Sequence, residues 1–366
     1  MSDHRIVVIG SGVAGMSAAR GLILAGYRPL LIAPLATVPS RGETLSPRAT
    51  PLLKKLGWLH LLADDVAIRS NGRFSVWGST TMRQAELEQE PSFHIDRAGL
   101  EAKMWSSLAQ AGIDRQCHPV TRLEHTADGV AVHFGNSQLV DTAAVIDCTG
   151  RAALSSGPSS KRRRADRLVA LWATLDLADD AETLAATLVE AVELGWWYTS
   201  ILPGRRLMVG FFTDSDLLPT GASRVGVAFG DMLTNAPNTK ARLESLGLLA
   251  VLAHCPREVS PAASVIGSRM VEGRILRAGD AAAATDPLSS NGLATAIWSG
   301  AMAGEAALAL LQDDQAPAEH FERSYLEGIA RQLGSQTTLY GAESRFTNAP
   351  FWSRRSQQSL TVTPNK

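Results

Sequence analysis

Arg277-Ala-Gly279-Asp280-Ala281-Ala-Ala-Ala-Thr-Asp286-Pro287-Leu288-Ser-Ser-Asn291-Gly292-Leu293 follows two short apolar runs, Val265-Ile266 and Ile275-Leu276, and opens a long alanine-rich helix. A strand that ends in Gly279-Asp280 and hands over to a helix N-terminus sets one carboxylate beside backbone N–H groups that the helix cannot pair. That combination suits a ligand rich in hydroxyls and bearing phosphate.

The first thirty residues narrow that ligand to a dinucleotide. Arg5-Ile-Val-Val-Ile9 reads as a strand buried on both faces. Gly10-Ser-Gly12-Val13-Ala14-Gly15 follows, then a helical run to Ala25 closed by Gly26, and Pro29-Leu-Leu-Ile32 reads as the next parallel strand. In this context the three glycines divide their tasks: a tight turn, close approach to a pyrophosphate, and close helix-to-strand packing. The ribose-binding carboxylate expected at the end of the second strand is missing, because the sequence there is Ile32-Ala33-Pro34-Leu35. Ser40 or Arg41 is left to hold the ribose hydroxyls.

Bulk properties exclude several classes. The 366 residues suit two interleaved domains with sizeable cores, at 45% hydrophobic content. Thirty-five basic against 36 acidic residues give a net charge of -1, which supplies no global field for nucleic acid or an acidic membrane. Cys117, Cys148 and Cys255 are widely spaced and odd in number, so neither a disulfide framework nor a metal cluster is expected. No apolar run reaches the roughly 18 residues of a bilayer span, and no signal peptide is recognisable. A cytoplasmic protein with no metal site is the expectation.

Further turns follow in order: Arg41-Gly42-Glu43-Thr44-Leu45-Ser46-Pro47, His94-Ile95-Asp96-Arg97, and Ala144-Val-Ile-Asp147-Cys148-Thr149-Gly150. With the two glycine turns, this order resembles the FAD-binding fold of class A flavoprotein monooxygenases. It is similar in particular to the branch that holds flavin-dependent halogenases and geranylgeranyl reductases. The resemblance implies an α/β fold: a Rossmann-like FAD-binding domain of the glutathione reductase and p-hydroxybenzoate hydroxylase type, interleaved with an antiparallel-sheet substrate domain and followed by a C-terminal helix. It places FAD binding in residues 1–70, 95–165 and 270–312, the substrate domain in 71–94 and 166–269, and the helix and tail in 313–366.

Carried onto this sequence, the resemblance implies that Gly10, Gly12, Val13, Ala14 and Gly15 admit the FAD pyrophosphate. Arg97 pairs with phosphates or nearby hydroxyls, Gly150 ends a contacting strand, and Gly279 and Asp280 hold the ribityl chain. Pro287, Ser290, Asn291, Gly292 and Leu293 present backbone N–H groups to the isoalloxazine, while Arg41, Glu43 and Thr44 run along the ring. Electrons come from NAD(P)H or from a separate flavin reductase.

Between the nucleotide segments, Leu168–Leu175, Trp196–Leu202 and Leu207–Phe212 alternate and are rich in aromatic and β-branched residues, which predicts an antiparallel sheet with a hairpin at Pro203-Gly204. Lys161-Arg-Arg-Arg164 reads as a solvated loop. Leu194-Gly195-Trp196-Trp197-Tyr198 to Pro203 is similar to the halogenase signature, altered in its second tryptophan and its spacing. The halogenase lysine is missing from Ser70–Trp77, and Ser289-Ser290 stands where tryptophan halogenases carry an acid. Ser70-Asn-Gly72-Arg-Phe-Ser75-Val-Trp77-Gly78 and Asp286-Pro-Leu-Ser-Ser290 resemble instead the small flavoproteins that mature protein-derived tryptophylquinone cofactors.

That resemblance implies hydroxylation of an indole, such as a tryptophan side chain of a partner polypeptide, through a flavin C4a-hydroperoxide, with Trp77, Trp197 and Tyr198 toward the substrate. His94, Glu43 and Asp286 are the titratable candidates for proton transfer. The alternatives are a reductase of the geranylgeranyl type, a small-molecule tailoring hydroxylase or halogenase, and a non-enzymatic flavin-stabilised assembly partner. At the C-terminus, Phe321, Tyr325, Ile329 and Leu333 predict a packed helix after Pro317, and the segment beyond Phe346 is expected to be a mobile tail.

Overall fold

A computed structural model describes residues 6–35, 42–85, 89–218, 229–255 and 258–356. Its first sheet has six strands in the order Val271–Glu272, Ile275–Arg277, Ala144–Asp147, Ile6–Ile9, Leu30–Ile32, Arg115–Gln116. All neighbours are parallel except the first pair. The central strand Ile6–Ile9 is buried on both faces, which is why it reads as an unbroken β-branched run rather than an alternating one. Ile9, Asp147 and Arg277 stand side by side at the strand ends, so the turns after them, at Gly10, Cys148 and Ala278, meet along one crevice.

Two helices cover this sheet, Val13–Leu24 and Gly292–Leu310. They touch through small residues. A methyl group on Gly300 would lie 2.1 Å from the Ala14 carbonyl oxygen, and one on Gly304 would lie 3.1 Å from that of Ala18. Alanine enrichment in both helices is therefore a packing requirement, and the buried set Ala303, Ala306, Ala307 belongs to the same contact. Gly292–Leu310 is also the one helix among the described residues long and apolar enough to cross a membrane, and 56% of that stretch is buried within the protein.

The second sheet has seven strands: Glu258–Pro261, Leu168–Asp176, Arg206–Asp214, Gly195–Leu202, Ala186–Val192, Gly72–Val76, Arg83–Gln84. Neighbours are antiparallel except Ala186–Val192 with Gly72–Val76. The hairpin turns at Gly204 and Arg205, both at positive φ. Gly195–Leu202 is buried throughout, so its alternation separates two environments rather than core from water. Trp197 and Ile201 pack toward the helices Pro237–Ser245 and Leu249–His254, whereas Trp196, Tyr198 and Leu202 face the other way. A three-stranded sheet, Gly42–Leu45, Phe93–Asp96 and Ala67–Arg69, lies against the same strand.

Two local expectations change. Arg162–Arg164 is not a solvated loop but a strand paired with Val265–Gly267, because Arg162 turns inward to donate to the Asp280 and Arg151 carbonyls. Beyond the predicted helix, which runs Ala316–Gly341 with Phe321, Tyr325, Ile329 and Leu333 buried, the chain does not trail away. Pro350–Ser356 is a helix seated on the second sheet: Trp352 donates to the Val192 carbonyl at 2.9 Å, and Arg355 pairs with buried Asp214 at 2.8 Å. The apolar pair Phe351-Trp352 and this buried ion pair hold a segment whose composition resembles a tail. Residues 357–366 lie outside the described set.

The helix crossing gives a first prediction. Gly300→Ala places a methyl group on the Ala14 carbonyl, and overpacking of this kind costs about 1–3 kcal/mol. A urea melt should show an earlier midpoint with an unchanged slope.

Candidate functional site

The crevice above the parallel strand ends holds two connected compartments, of about 450 Å³ and about 620 Å³, and Gly12, Cys148 and Gly150 line both. The floor between them is backbone against backbone. Gly10 takes φ +103°, and a side chain there would strike the Cys148 carbonyl at 2.3 Å; one on Gly15 would strike Gly10 itself at 1.9 Å. Gly12 differs from both. Its φ of -75° and ψ of -177° suit any residue, and a methyl group on it meets nothing within 4 Å. The same open space stands over Gly150 and Gly292.

Two helix N-termini complete the crevice. Met16 is the first residue of its helix to bond back, to Gly12, and Thr295 is the first of the other, to Asn291. The N–H groups ahead of them have no partner within their helices and carry the positive ends of the helix dipoles. An elongated phosphate-bearing ligand therefore meets three glycines with room above them and two sets of donors, which is what FAD requires. Gly279, at φ +59°, holds the third turn: its N–H donates to Ser299 Oγ at 2.9 Å and its carbonyl accepts from Tyr325 at 2.9 Å.

The larger compartment lies over the ends of the first two strands, at Ile9 and Ile32. Ala33 and Pro34 line it where a ribose carboxylate would stand at the strand end, and its one acidic lining residue among those described is Glu101. The helix Arg97–Gln110 supplies it one turn after Arg97. Arg97 lies between two carboxylates, Nε donating to Glu101 at 2.8 Å and a terminal nitrogen to Glu43 at 2.6 Å. Glu43 above all, with Glu101, pushes the guanidinium pKa up, so the cation is permanent. Arg115 lies over the Trp105 ring at 4.7 Å in the same compartment, and its Nε has no partner among the described residues. Arg41 and Ser40 lie outside the described residues.

The smaller compartment gathers most of the expected flavin contacts. Val13, Ala14, Glu43, Thr44 and Arg97 line it from one side, and Gly279, Asp280, Pro287, Ser290, Gly292 and Leu293 from the other. Gly15 lies beneath the turn, and Asn291 is the residue before the helix, outside the lining. Arg151, which the sequence did not single out, stands 3.6 Å from the Asp280 carboxylate.

Its roof is the second sheet. Trp196 stacks flat on Phe212 with centroids 3.8 Å apart, and Trp172 meets the same ring edge-on at 5.1 Å. Met208 and Tyr198 continue the wall, and the Tyr198 hydroxyl shares a 2.6 Å hydrogen bond with Thr44. Of the three aromatic residues expected at the substrate, only Tyr198 faces this cavity. Trp197 is on the opposite face among Phe211 and Phe229, and Trp77 donates to the Leu339 carbonyl and packs on Tyr340 and Trp352. Period-two alternation from Tyr198 would have selected Trp196 instead.

The three candidate proton carriers separate clearly. His94 is fully buried outside the cavity lining, with Nδ1 bonded to the Ile201 carbonyl at 2.7 Å and Nε2 to Thr187 at 3.0 Å. Burial lowers its pKa to about 4, so it is a neutral ring with both nitrogens engaged. Glu43 lines the cavity but is committed to Arg97. Asp286 lines the cavity at 3% exposure, accepting from the Leu288 N–H at 2.8 Å, the Tyr340 hydroxyl at 2.8 Å and Gln336 at 3.2 Å. Tyr340 in turn accepts from the Trp196 indole N–H at 3.1 Å. Burial outweighs these donors and raises the Asp286 pKa to about 6.

No family model matches the sequence. The chain is 23% identical, over 97% of both chains, to LodB of Marinomonas mediterranea, named as an FAD-dependent oxidoreductase. It is 26% identical to digeranylgeranylglycerophospholipid reductase 1 of Methanothermobacter thermautotrophicus, over 91% of this chain and 85% of that one. Among solved structures, the peptidyl tryptophan dihydroxylase QhpG, described as essential for tryptophylquinone cofactor biogenesis, superposes with a TM-score of 0.74 at 23% identity, over 100% of this chain and 82% of its own. The myxobacterial chondrochloren halogenase CndH gives a TM-score of 0.79 at 17% identity, over 98% and 87%. The fold is that of flavin-dependent hydroxylases and halogenases.

The open space over Gly12 yields a direct test. Gly12→Ala should leave the apoprotein melting temperature within error, while FAD affinity, read by recovery of flavin fluorescence, falls roughly tenfold or more because the methyl group takes ligand volume. Gly15→Ala, which collides with backbone, should lower the melting temperature itself.

Proposed function

We propose that this FAD-dependent oxidoreductase, with the fold of the flavin-dependent hydroxylases and halogenases, is a monooxygenase that hydroxylates an indole ring carried as a tryptophan side chain by a partner polypeptide. The observation that carries the reading is the cavity itself. An aromatic roof of Trp172, Trp196, Tyr198 and Phe212 faces the flavin contacts across one space, with Asp286 in its wall as the one buried carboxyl group among the described lining residues. Aromatic rings prefer offset or edge-on neighbours, and this roof offers both kinds of surface to a flat, electron-rich guest. No lysine lines the cavity among the described residues, which supports hydroxylation over a halogenation route that uses one.

FAD would lie with its adenosine end near Glu101 and Arg115, its pyrophosphate over Gly12 and its ring between Gly292 and Thr44. Glu101 takes the place of the missing strand-end carboxylate toward the ribose. When bound and reduced, FAD supplies the electrons that split O2, one oxygen atom entering a ring C–H bond and the other leaving as water. NAD(P)H or a partner flavin reductase supplies those electrons in turn.

The residues of the chain itself position and move protons. The aromatic roof orients the ring and keeps water out. Asp286 accepts the proton that the ring carbon loses once the new C–O bond has formed. Tyr340 fixes the carboxylate: its lone pair is taken by the Trp196 N–H, so its own proton points to Asp286.

The pKa of about 6 sets the sign of the pH dependence. The group acts as a base only when ionised, so kcat/KM should rise with pH through about 6. Asp286→Asn should flatten that limb and reduce kcat about a hundredfold or more, with FAD retained. The reaction itself is checked by reducing the holoenzyme without oxygen, adding isotopically labelled O2 and a tryptophan-containing peptide, and reading the product by mass spectrometry. Label in the indole ring is expected. Hydrogen peroxide as the sole oxygen product with peptide, free tryptophan and indole alike overturns the reading.

A further inference from the structure

Among the described residues the strand Glu258–Pro261 is the outer edge of the seven-stranded sheet, and Val259, Ser260 and Pro261 line the aromatic cavity. Its hydrogen-bond phase is fixed. It pairs antiparallel with Leu168–Asp176 in the register Ala170↔Ser260 and Leu171↔Val259, and the Ala262 N–H donates to the Leu168 carbonyl at 3.0 Å. Hydrogen-bonded and non-hydrogen-bonded pairs alternate in such a ladder. The inward-bonded residues are therefore Ala262, Ser260 and Glu258, and those whose backbone groups point away from the sheet are Val259 and Pro261. Val259 thus turns its N–H and C=O outward, and Pro261 turns out its C=O alone. The Val259 side chain is 54% exposed.

Side-chain phase connects this edge to the cavity. Ser260 stands in one row with Ala170, Phe212 and Trp196, all of which line the cavity. A further strand laid on the edge would continue that row, and every second one of its side chains would point to the cavity side. The charge around the edge is mixed, with Glu258 exposed on the strand itself and Arg167 3.7 Å from Asp216, but basic side chains outnumber these carboxylates. Arg163 and Arg164 pair in register with Ile266 and Val265, a few residues beyond Pro261, and Lys161, Arg163, Arg164 and Arg167 are exposed there.

We propose that the partner polypeptide docks here as an extended, acidic segment that adds a strand to Glu258–Pro261 and drops its tryptophan into the cavity from the row of Ser260. The proposal rests on the reading of the substrate as a polypeptide side chain. Main-chain pairing with Val259 and with the Pro261 carbonyl supplies affinity that does not depend on sequence. The cavity selects the aromatic residue, and the exposed arginines select acidic flanks and speed encounter. Pro261 fits this use: an edge with one outward donor fewer is a poorer template for aggregation and still accepts from a guest strand.

The test uses the FAD-loaded protein and a fluorescent peptide of alternating glutamate and threonine about one central tryptophan, with binding read by anisotropy. A second peptide carries the same side chains but is N-methylated at the backbone amides flanking the tryptophan. The N-methylated peptide should bind about tenfold or more weakly, Val259→Pro should weaken the parent peptide similarly, and Arg164→Glu with Arg167→Glu should weaken it and reduce its salt dependence. No binding of the parent peptide, or equal binding of the methylated one, overturns the proposal even if Val259→Pro fails to fold. The readout separates this idea from the reaction. Peptide binding without oxygen incorporation defeats the monooxygenase reading alone, and oxidation of free tryptophan without peptide docking defeats the edge-strand reading alone.

Discussion

The contact on which the site depends is between main chains: Gly10 against the Cys148 carbonyl, and Gly15 against Gly10. It forces the first strand, its turn and its helix into one rigid corner beside the strand Ala144–Asp147. Because Ile9, Asp147 and Arg277 are held in parallel register, the corner fixes where the second and third turns must fall. Neither of these turns is left to its own backbone. The Asp147 carboxylate accepts from the N–H and hydroxyl of both Thr149 and Ser155, and buried Arg277 donates to Ser155 and Glu272. These charge-assisted bonds fix the shape of both turns, so binding costs little reorganisation.

What the sequence reveals of this arrangement follows the range of each interaction. The glycine turns, the strand ends and the Gly279-Asp280 handover are local, and each was visible as a residue type in a short window. The aromatic roof was half visible. Trp196, Trp197 and Tyr198 are consecutive, and only the pleat decides that the first and third face the cavity while the second packs among Phe211 and Phe229. Trp172 and Phe212 join the roof through pairing across strands, for which a single strand carries no mark.

The carboxylate of the larger compartment shows the same limit. The strand-end position carries Ala33, and Glu101 reaches the compartment from another helix. Its spacing from Arg97 reads in sequence as an ordinary i,i+4 ion pair on a helix surface. Only the fold brings Glu43 to the other side of Arg97, and with it the difference between a solvated pair and a half-buried bridge that joins the two halves of the crevice.

The C-terminal region was the least legible, and it reaches furthest into the chemistry. Asp286 stands in a motif that reads as a helix start, and by itself it would be a partly hydrated carboxylate of ordinary acidity. The helix Ala316–Gly341 covers it, and the same packing that buries Phe321, Tyr325 and Ile329 brings Gln336 and Tyr340 onto its oxygens. Covering removes water and raises the pKa, while Tyr340 returns a single oriented donor. Behind Tyr340, Phe351 and Arg355 fix its ring, and Arg355 is itself anchored on Asp214 of the second sheet. The acidity of a group in the cavity is thus set by how the end of the chain closes over the sheet. Changes near residue 355 should therefore reach the cavity through Tyr340 without touching any residue that lines it.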